Sequence, residues 1–439
     1  MSRRHRLLPL LLVTALLSAP GRAPAQAPAE TVHTTRLDNG LTLIVRENPV
    51  APVVAIALLV RMGSRWETPD NAGISNFTHA VMVKGTTRRG GAEIAETVAG
   101  LGGKITAAGD VDYSGIQSAA LARFWRELLE ITAELALQPR LAAEEVDRER
   151  DWLLSRVQRR QDNAPARAFD ELYARLYGSH PYALPNLGTA ASLARIDHAA
   201  IVAWYRAFYR PERMMLAVSG QVAAAEVVAE ARRLFGGLPG TAAPPDPVRP
   251  APRAAAGRTV VVAPAQQTQI LVGGLAPALD DPDHAAVKVL STILGGGMAG
   301  RLFVELRDRS ALAYTATSYY DPVKERGALV LYLGTAPTAS AQAEQALLRE
   351  VQKIRDVPVS DDELARAKGY LLGRYAMDRR TNERIAWHLA FEEIEGVGRA
   401  HPERLRRQVE AVTSADVQRV ARTYLATPTT LILGPSPAR

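Results

Sequence analysis

Two parts of the chain repeat each other on either side of a proline-rich stretch. Residues 145–156 align with residues 363–374 at a spacing of 218 positions, and residues 196–208 align with residues 412–424 at a spacing of 216. Each aligned block carries apolar residues at the period of a helix. Helices with this period can resemble each other by chance, but two blocks at nearly the same spacing indicate a duplication.

The stretch between the repeats, residues 236–257, contains six prolines. Because proline has no backbone N–H and a fixed φ, this stretch cannot form a helix interior or a central strand. A chain of 439 residues is also too long for one compact core. We therefore predict an N-terminal domain at residues 30–236, a Pro-rich linker at 237–257 and a homologous C-terminal domain at 258–439.

Each half mixes strand signals with helix signals. In the first half, Asn39-Gly40 is a hairpin-turn pair before the alternating run Thr42 to Arg46, and Val53 to Val60 is rich in β-branched and aliphatic residues. Residues 144–160 have the apolar spacing of an amphipathic helix. Strands and helices in each of two copies indicate an α+β fold, with each sheet covered by helices on one face.

The first 25 residues have the pattern of a signal peptide. Three arginines lie within the first six residues, Leu7 to Leu17 is apolar, and Ala23-Pro24-Ala25 supplies the small residues that cleavage requires. The apolar run is too short for a permanent membrane span, and a retained N-terminal anchor is the alternative. We expect residues 1–25 to be removed and the mature protein, without a membrane span, to be periplasmic or secreted.

The chain has no cysteine and a formal net charge of +7. The absence of cysteine excludes disulfides, cysteine nucleophiles and thiolate metal ligands. An exported protein without disulfides is typical of a bacterial periplasm. No basic stretch is interleaved with aromatic residues, so nucleic acid is not an expected partner, and we interpret the excess charge as a solvated surface.

The stretch from Gly73 to Thr86 carries the main functional signal of the first half. Gly73, Phe77 and Lys84-Gly85-Thr86 resemble the metal-binding region of the insulinase, pitrilysin and mitochondrial processing peptidases, whose signature is H-x-x-E-H followed by Lys-Gly-Thr. The resemblance extends over essentially the whole mature chain, because that family shares the hairpin start and the tandem duplication. It implies two tandem homologous domains, each a mostly antiparallel sheet covered by helices.

The family's metal ligands are absent from the corresponding positions. In active members two histidines bind zinc, the glutamate between them takes a proton from the metal-bound water, and a later glutamate is the third ligand. Here Asn76, His79 and Ala80 occupy the motif positions, and Arg156 occupies that of the third ligand. An amide is a poor zinc ligand, alanine has no donor, and a fixed positive charge repels a divalent cation. We predict no metal or other cofactor in this chain, and expect Arg156 to fill the metal's space and to bond to Glu149.

Two histidines, His79 and His388, are also candidate functional residues. His79 is interpreted as a structural or surface residue, because a general base without a metal has no activated water to act on. His388 and Glu392 are four residues apart on a predicted helix. That spacing is more typical of a side-chain hydrogen bond than of a metal site, and no third ligand is evident.

The second half contains a different set of candidate residues. A glycine-rich loop, Gly295 to Gly300, leads into a segment that carries Arg307 and Tyr314. This segment is similar to the family region in which an arginine and a tyrosine seven residues later face the zinc site from the opposing half. Such donors stabilise the negative charge that develops on a carbonyl oxygen under attack. The alternatives are a surface ion pair for Arg307, core packing for Tyr314, and a simple helix stop rather than a substrate-facing loop for the glycines.

The resemblance implies a division of labour between two chains. In some members one chain carries the zinc motif and a homologous chain carries the arginine and tyrosine. We therefore expect a non-catalytic subunit of a heterodimeric zinc peptidase, in which Arg307 and Tyr314 complete the site of a catalytic partner with an intact H-x-x-E-H motif. Zinc is expected in the partner, and the substrates are expected to be extended peptides that add to a sheet edge. The alternatives are a peptide-binding or scaffold protein without a role in proteolysis and an autonomous metallopeptidase, whose ligands are missing.

Overall fold

The computed structural model of the protein describes residues 31–240 and 244–435. The predicted signal peptide, residues 1–25, lies outside the described residues. The strands of the first half are β1 (Thr31–Arg36), β2 (Thr42–Glu47), β3 (Val53–Val60), β4 (Lys104–Gly109), β5 (Ser114–Leu121) and β6 (Met214–Gly220). Its helices are α1 (Ile74–Met82), α2 (Gly91–Gly100), α3 (Trp125–Leu137), α4 (Ala143–Asp162), α5 (Ala164–Tyr177), α6 (Ala190–Arg195), α7 (His198–Phe208) and α8 (Ala224–Phe235).

The second half follows the same plan. Its strands are β7 (Gly257–Val262), β8 (Thr268–Ala276), β9 (Thr315–Asp321), β10 (Gly327–Thr335) and β11 (Thr429–Gly434). Its helices are α9 (His284–Gly295), α10 (Ser340–Asp356), α11 (Asp361–Asp378), α12 (Asn382–Ile394), α13 (His401–Ala411) and α14 (Ser414–Tyr424). In the part of the chain that the structure describes, none of these helices is long and apolar enough to cross a membrane.

The two sheets have the same topology. The first sheet has the order β1-β2-β6-β3-β5-β4, and the second has the order β7-β11-β8-β10-β9. When β1 is set aside, the two orders coincide strand for strand. Among the described strands, β2 with β6 and β7 with β11 are parallel pairs, and the other pairs are antiparallel. The predicted α+β fold of two tandem, mostly antiparallel domains is confirmed.

The repeat that is visible in the sequence is a repeat of helices. Helix α4 begins 218 positions before α11, and α7 begins 216 positions before α14. Side chains that satisfy free backbone N–H groups define several of these starts. Ser360 accepts a hydrogen bond from the N–H of Glu363 at 3.3 Å, and Thr413 and Asp416 form a capping box at the start of α14.

The two halves exchange a helix. Helix α5 belongs to the first half, but its buried residues Ala168, Leu172 and Leu176 pack against Leu271 and Leu431 of the second sheet. Neighbouring residues of β8 and β11 point to the opposite face, because side chains alternate along a strand, and there they join the second half's own core. The exchanged helix therefore covers the sheet face that the second half's own helices leave open.

Helix α12 makes the reciprocal contact. Its Ala386 and Ala390 pack against Ala55 and Ala57 of β3, in a cluster that Ile394 also joins. Alanine on both surfaces lets the helix backbone approach the sheet closely. Each sheet is therefore covered on both faces, and the expectation of one covered face was wrong. Periodicity within one half cannot show that the second cover comes from the other half.

The linker runs over the surface and is held by hydrogen bonds and charges. Residues 244–256 contain no helix or strand between α8 and β7. The guanidinium of Arg213 donates to the carbonyl oxygen of Pro244 at 2.6 Å. Asp246 lies 3.6 Å from Arg213 and 3.9 Å from Arg65. The linker is thus fixed to the first half before it enters the second sheet at Gly257.

The packing of α5 and α12 across the two halves predicts that the halves unfold cooperatively. Leu172→Ala removes a fully buried side chain from the contact between α5 and the second sheet. We expect it to lower the free energy of unfolding by about 2–5 kcal/mol, because the site cannot fully collapse. Urea unfolding, followed by circular dichroism and tryptophan fluorescence, should still give one transition, since neither half keeps its cover alone.

The matched control is Leu348→Ala on α10, whose side chain is exposed. This variant should change the free energy of unfolding by less than about 0.5 kcal/mol. Two separate unfolding transitions in the natural chain would contradict the inferred interdependence of the halves.

Candidate functional site

Helix α1 carries the degenerate motif, and a buried carboxylate holds its first turn. Gly73 precedes the helix at φ 86°, and a Cβ there would lie 2.5 Å from the backbone nitrogen of Gly188, so only glycine fits. The carboxylate of Glu67 accepts hydrogen bonds from the N–H groups of Gly73 at 2.7 Å and Ser75 at 2.9 Å. It thereby satisfies free donors at the positive end of the helix dipole.

His79 is a structural residue in the core of this region. Its side chain is fully buried, with Nδ1 2.8 Å from the carbonyl oxygen of Ser75 and Nε2 2.8 Å from the hydroxyl of Tyr209. Burial lowers the pKa of His79 to about 4, so the neutral ring donates from Nδ1 and accepts at Nε2. Both ring nitrogens are used within the protein, which leaves none for a metal or a substrate.

The remaining motif positions carry poor metal ligands. Asn76 and Ala80 are half-buried one turn apart on α1, and Nδ2 of Asn76 is buried without a hydrogen-bond partner among the described residues. Arg156 stacks on the ring of Trp152 at 4.7 Å. One amide, one methyl group and a guanidinium do not fit zinc. Within residues 31–240 and 244–435, no three His, Cys, Asp or Glu side chains are grouped so as to hold a metal ion.

The expected bond between Arg156 and Glu149 is replaced by another. Glu149 is buried, and its carboxylate lies 2.5 Å from Nζ of Lys84. Lys84 belongs to the Lys-Gly-Thr segment that follows the motif. Arg156 is two helical turns beyond Glu149 on α4 and instead contacts Trp152, one turn away. The motif's flank therefore ties α1 to α4 by an ion pair that needs no metal.

Strand β4 forms the sheet edge beside α1. It pairs with β5 on one side and ends the order of the first sheet. Gly109 closes the strand so near α1 that a Cβ there would lie 2.7 Å from the backbone nitrogen of Asn76. In the second half, β9 ends its sheet in the same way. Strands β4 and β9 are thus edge strands at equivalent places in the duplicated fold.

Arg307 and Tyr314 lie on a segment that leads to the edge of the second sheet. Arg307 is exposed on a π-helical segment, Phe303–Arg309, with its guanidinium 4.8 Å from the ring of Phe303. The side chain of Tyr314 is 61% exposed and directly precedes β9. A hydrogen bond of 2.8 Å from the N–H of Leu312 to the carbonyl oxygen of Leu306 closes the turn between them.

The positions of Arg307 and Tyr314 bear on two alternatives, an ion pair for Arg307 and core packing for Tyr314. Among the described residues, Arg307 has no carboxylate within 4 Å, and the hydroxyl of Tyr314 has no hydrogen-bond partner. An ion pair for Arg307 and core packing for Tyr314 are therefore both wrong. The structure places the two polar groups in solvent, on a segment fixed by the N–H of Tyr314, which donates to the carbonyl oxygen of Gly334 at 2.9 Å.

The glycine-rich loop ends helix α9. Gly296 is the residue after the helix, and residues 297–299 form a short 3-10 turn. Gly297 has φ 78°, and a Cβ there would lie 3.0 Å from the hydroxyl of Tyr370. Met298 is exposed at the tip of the loop. The loop therefore ends helix α9, and its contact with substrates stays a prediction.

His388 and Glu392 do not bond to each other. His388 Nε2 lies 2.7 Å from a carboxylate oxygen of Asp378, and the carboxylate of Glu392 bonds to the guanidinium of Arg379. The expected hydrogen bond within the pair was wrong, because nearer charged groups on the preceding helix and turn engage both side chains. Two pairs were not predicted from the sequence. His79 contacts Tyr209, 130 residues away, and Lys84 contacts Glu149, 65 residues away.

The fold and this site define a class of protein: two tandem α+β domains, in which the first keeps the flanks of an inverted zinc motif without its ligands. A model described as Insulinase (Peptidase family M16) matches residues 42–190, and a model described as Peptidase M16 inactive domain matches residues 195–371. Both models belong to one family, and together they cover most of the chain. The chain belongs to the insulinase family.

Similar proteins occur in several bacteria. An uncharacterized zinc protease of Mycobacterium tuberculosis is 29% identical over 399 residues, covering 89% of this chain and 90% of that protein. One of Rickettsia bellii is 26% identical over 417 residues, covering 93% and 98%. The crystal structure of a peptidase M16 inactive domain from Pseudomonas fluorescens has a TM-score of 0.86 at 24% identity, covering 93% of this chain and 99% of that one. A protease from Helicobacter pylori has a TM-score of 0.86 at 21% identity, covering 92% and 100%.

Neutral His79 predicts a loss of stability in acid. Because the unfolded state, with an ordinary histidine pKa, binds a proton more readily than the folded state does, the stability present above pH 6.5 falls as the pH drops towards 4. Between pH 7 and pH 5 the loss from this group is about 2 kcal/mol. Urea unfolding at both pH values should show a smaller loss in His79→Gln than in the natural chain. An equal loss in both proteins would contradict the burial of a neutral imidazole.

The degenerate motif predicts the metal content of the protein. After incubation with zinc and gel filtration, the chain should retain far less than one zinc per molecule by plasma mass spectrometry, because the donor set is wrong. The matched variant carries Asn76→His, His79→Glu, Ala80→His and Arg156→Glu together. It should retain close to one zinc per molecule. Stoichiometric zinc in the natural chain, removed by Asn76→Ala, would overturn this assignment.

Proposed function

We propose that this chain is the non-catalytic subunit of a heterodimeric zinc metallopeptidase. It binds extended peptides and supplies Arg307 and Tyr314 to the active site of a homologous partner with an intact H-x-x-E-H motif. The observation that carries the proposal is the contrast between the two halves. In the motif of the first half, both ring nitrogens of His79 have partners within the protein, whereas among the described residues Arg307 has no carboxylate partner and the hydroxyl of Tyr314 has no hydrogen-bond partner.

The two side chains suit the stabilisation of a developing oxyanion. Attack on a peptide carbonyl places negative charge on its oxygen, and donors aimed at that oxygen lower the barrier by several kcal/mol. Arg307 contributes a permanent charge with a planar fork of N–H groups. Tyr314 contributes an O–H at the end of a rigid ring. In this proposal neither residue takes a proton from water, a task that belongs to the glutamate of the partner's motif.

The open edges of the sheets suit extended peptides. An added strand forms backbone hydrogen bonds without regard to side chains, so unfolded peptides of varied sequence can bind. Strand β4 offers such an edge next to α1, and β9 offers one directly after Tyr314. A peptide on the edge of β9 would thus lie next to the proposed donors.

The partner and the location are parts of the same proposal. Relatives that cover most of this chain carry the name zinc protease, which supports a role in proteolysis. Because this chain does not have the ligands, zinc is assigned to the partner and no cofactor to this chain. The predicted leader, residues 1–25, assigns the complex to the periplasm or the extracellular space.

The test is reconstitution with a homologous chain that carries H-x-x-E-H. Each chain alone and the equimolar mixture are assayed for cleavage of an unstructured fluorogenic peptide. We expect activity only in the mixture. Arg307→Ala should lower kcat of the mixture by about 10²–10³-fold, and Tyr314→Phe should lower it as well, because each removes a donor to the oxyanion. Neither variant should change the zinc content.

The matched controls are Arg309→Ala and Tyr319→Phe. Arg309 is an exposed arginine two positions further along, paired with Glu305, and Tyr319 is an exposed tyrosine on β9. Both variants should keep the activity of the natural mixture. Full activity of the mixture with Arg307→Ala and Tyr314→Phe combined would favour the scaffold role, and cleavage by the lone chain would refute the proposed division of labour.

A further inference from the structure

A basic pocket lies where the linker crosses from the first half to the second. It has a volume of about 600 Å³ and is formed by the end of α5, the linker residues 249–253 and Arg326. Pro250 and Pro252 restrict the backbone of the linker at this place. We call it the linker pocket. It belongs neither to α1 nor to the segment that carries Arg307 and Tyr314.

Three arginines without an acidic partner are among the residues that line the linker pocket. Among the described residues, Arg249, Arg253 and Arg326 have no carboxylate oxygen within 4 Å. Nη1 of Arg249 is buried without a hydrogen bond, and Arg326 makes one long contact of 3.5 Å from Nε to the carbonyl oxygen of Ala276. A buried donor without a partner costs free energy, which a bound acceptor would offset.

Neighbouring acceptors are already engaged. The carboxylate of Glu325 binds Nε of Arg65 at 2.8 Å and Nε2 of His180 at 2.8 Å. At the end of α5, the carbonyl oxygen of Tyr177 accepts from the N–H of His180 at 2.9 Å, and that of Arg175 accepts from the N–H of Ala255 at 3.0 Å. The arginines of the pocket are therefore not needed to neutralise an acid or to cap the helix.

The surroundings of Arg249 disfavour its charged form. Burial is the main cause that lowers the pKa of Arg249, and the more distant charge of Glu325 only partly opposes it. A guanidinium has five N–H donors in a planar fork that matches the oxygens of an anion. Arg249 is one of three arginines among the lining residues of the linker pocket, and no Asp or Glu is among them.

We propose that the linker pocket binds an oxyanion of the phosphate class, either inorganic phosphate or a phosphate monoester. Three permanent positive charges match an anion of two negative charges better than a single carboxylate, and tetrahedral oxygens can accept from several guanidinium groups at once. The bound anion connects Arg249 and Arg253 of the linker with Arg326 of the second sheet's β9–β10 connection. It would therefore stabilise the join between the halves.

The experiment measures anion binding to the mature chain. Calorimetry and thermal unfolding are run with inorganic phosphate, glycerol phosphate, sulfate and chloride at equal ionic strength. We expect saturable binding of phosphate or its monoester, with a rise in Tm that chloride does not give. Arg249→Gln and Arg326→Gln should each weaken the affinity on the order of tenfold or more, because each removes charge-assisted hydrogen bonds.

The control is Arg366→Gln, an exposed arginine on α11 outside the pocket. This variant should bind phosphate as the natural chain does, and Arg249→Lys, which keeps the charge but not the fork, should bind at an intermediate level. The proposal is overturned if phosphate acts on the natural chain no differently from chloride. It is also overturned if both glutamine variants fold and keep full affinity. Peptidase activity plays no part in this readout, so the proposed subunit role stands or falls separately.

Discussion

The mutual cover of the two sheets by α5 and α12 is the contact on which the rest of the structure depends. Each helix closes an apolar sheet face that its own half cannot close, so neither core is complete alone. Burial of such faces is the main favourable term in folding. This contact also fixes the motif helix α1 and the segment with Arg307 and Tyr314 in one frame.

Within this frame the motif region of the first half is held by internal pairs. A working metal site holds unpaired, charged or strained side chains in place, and such side chains lower the stability of the fold. Here His79 is neutral and satisfied at both nitrogens, and Lys84 neutralises buried Glu149. The second half shows the reverse condition, since Arg307 and Tyr314 present polar groups to solvent without partners among the described residues. Groups of that kind are what a binding site offers before its ligand arrives.

Much of the fold follows from sequence patterns, because each repeated block and each strand signal is a short continuous stretch of sequence. The strand Val53–Val60 and the start of α4 next to residue 144 are examples. The absence of the zinc ligands can also be predicted from the sequence, since each ligand is a single position in a known motif. The partners of His79 and Glu149 cannot be predicted from the sequence. Tyr209 and Lys84 come near these residues only when the chain packs. The exchange of α5 and α12 is hidden for the same reason: amphipathic spacing shows that a face is apolar but not what covers it.

The reciprocal position of α12 has a consequence for the order in which the chain can mature during synthesis. The ribosome completes residues 31–240 well before residues 382–394. Until then the alanine face of β3 has no cover, and α5 waits longer still for β11, the strand at residues 429–434 that completes the second sheet. Long-range contacts of this kind form late and leave apolar surface open in the meantime. A chain built in this way is vulnerable to aggregation from the completion of its first sheet until its last third has been made.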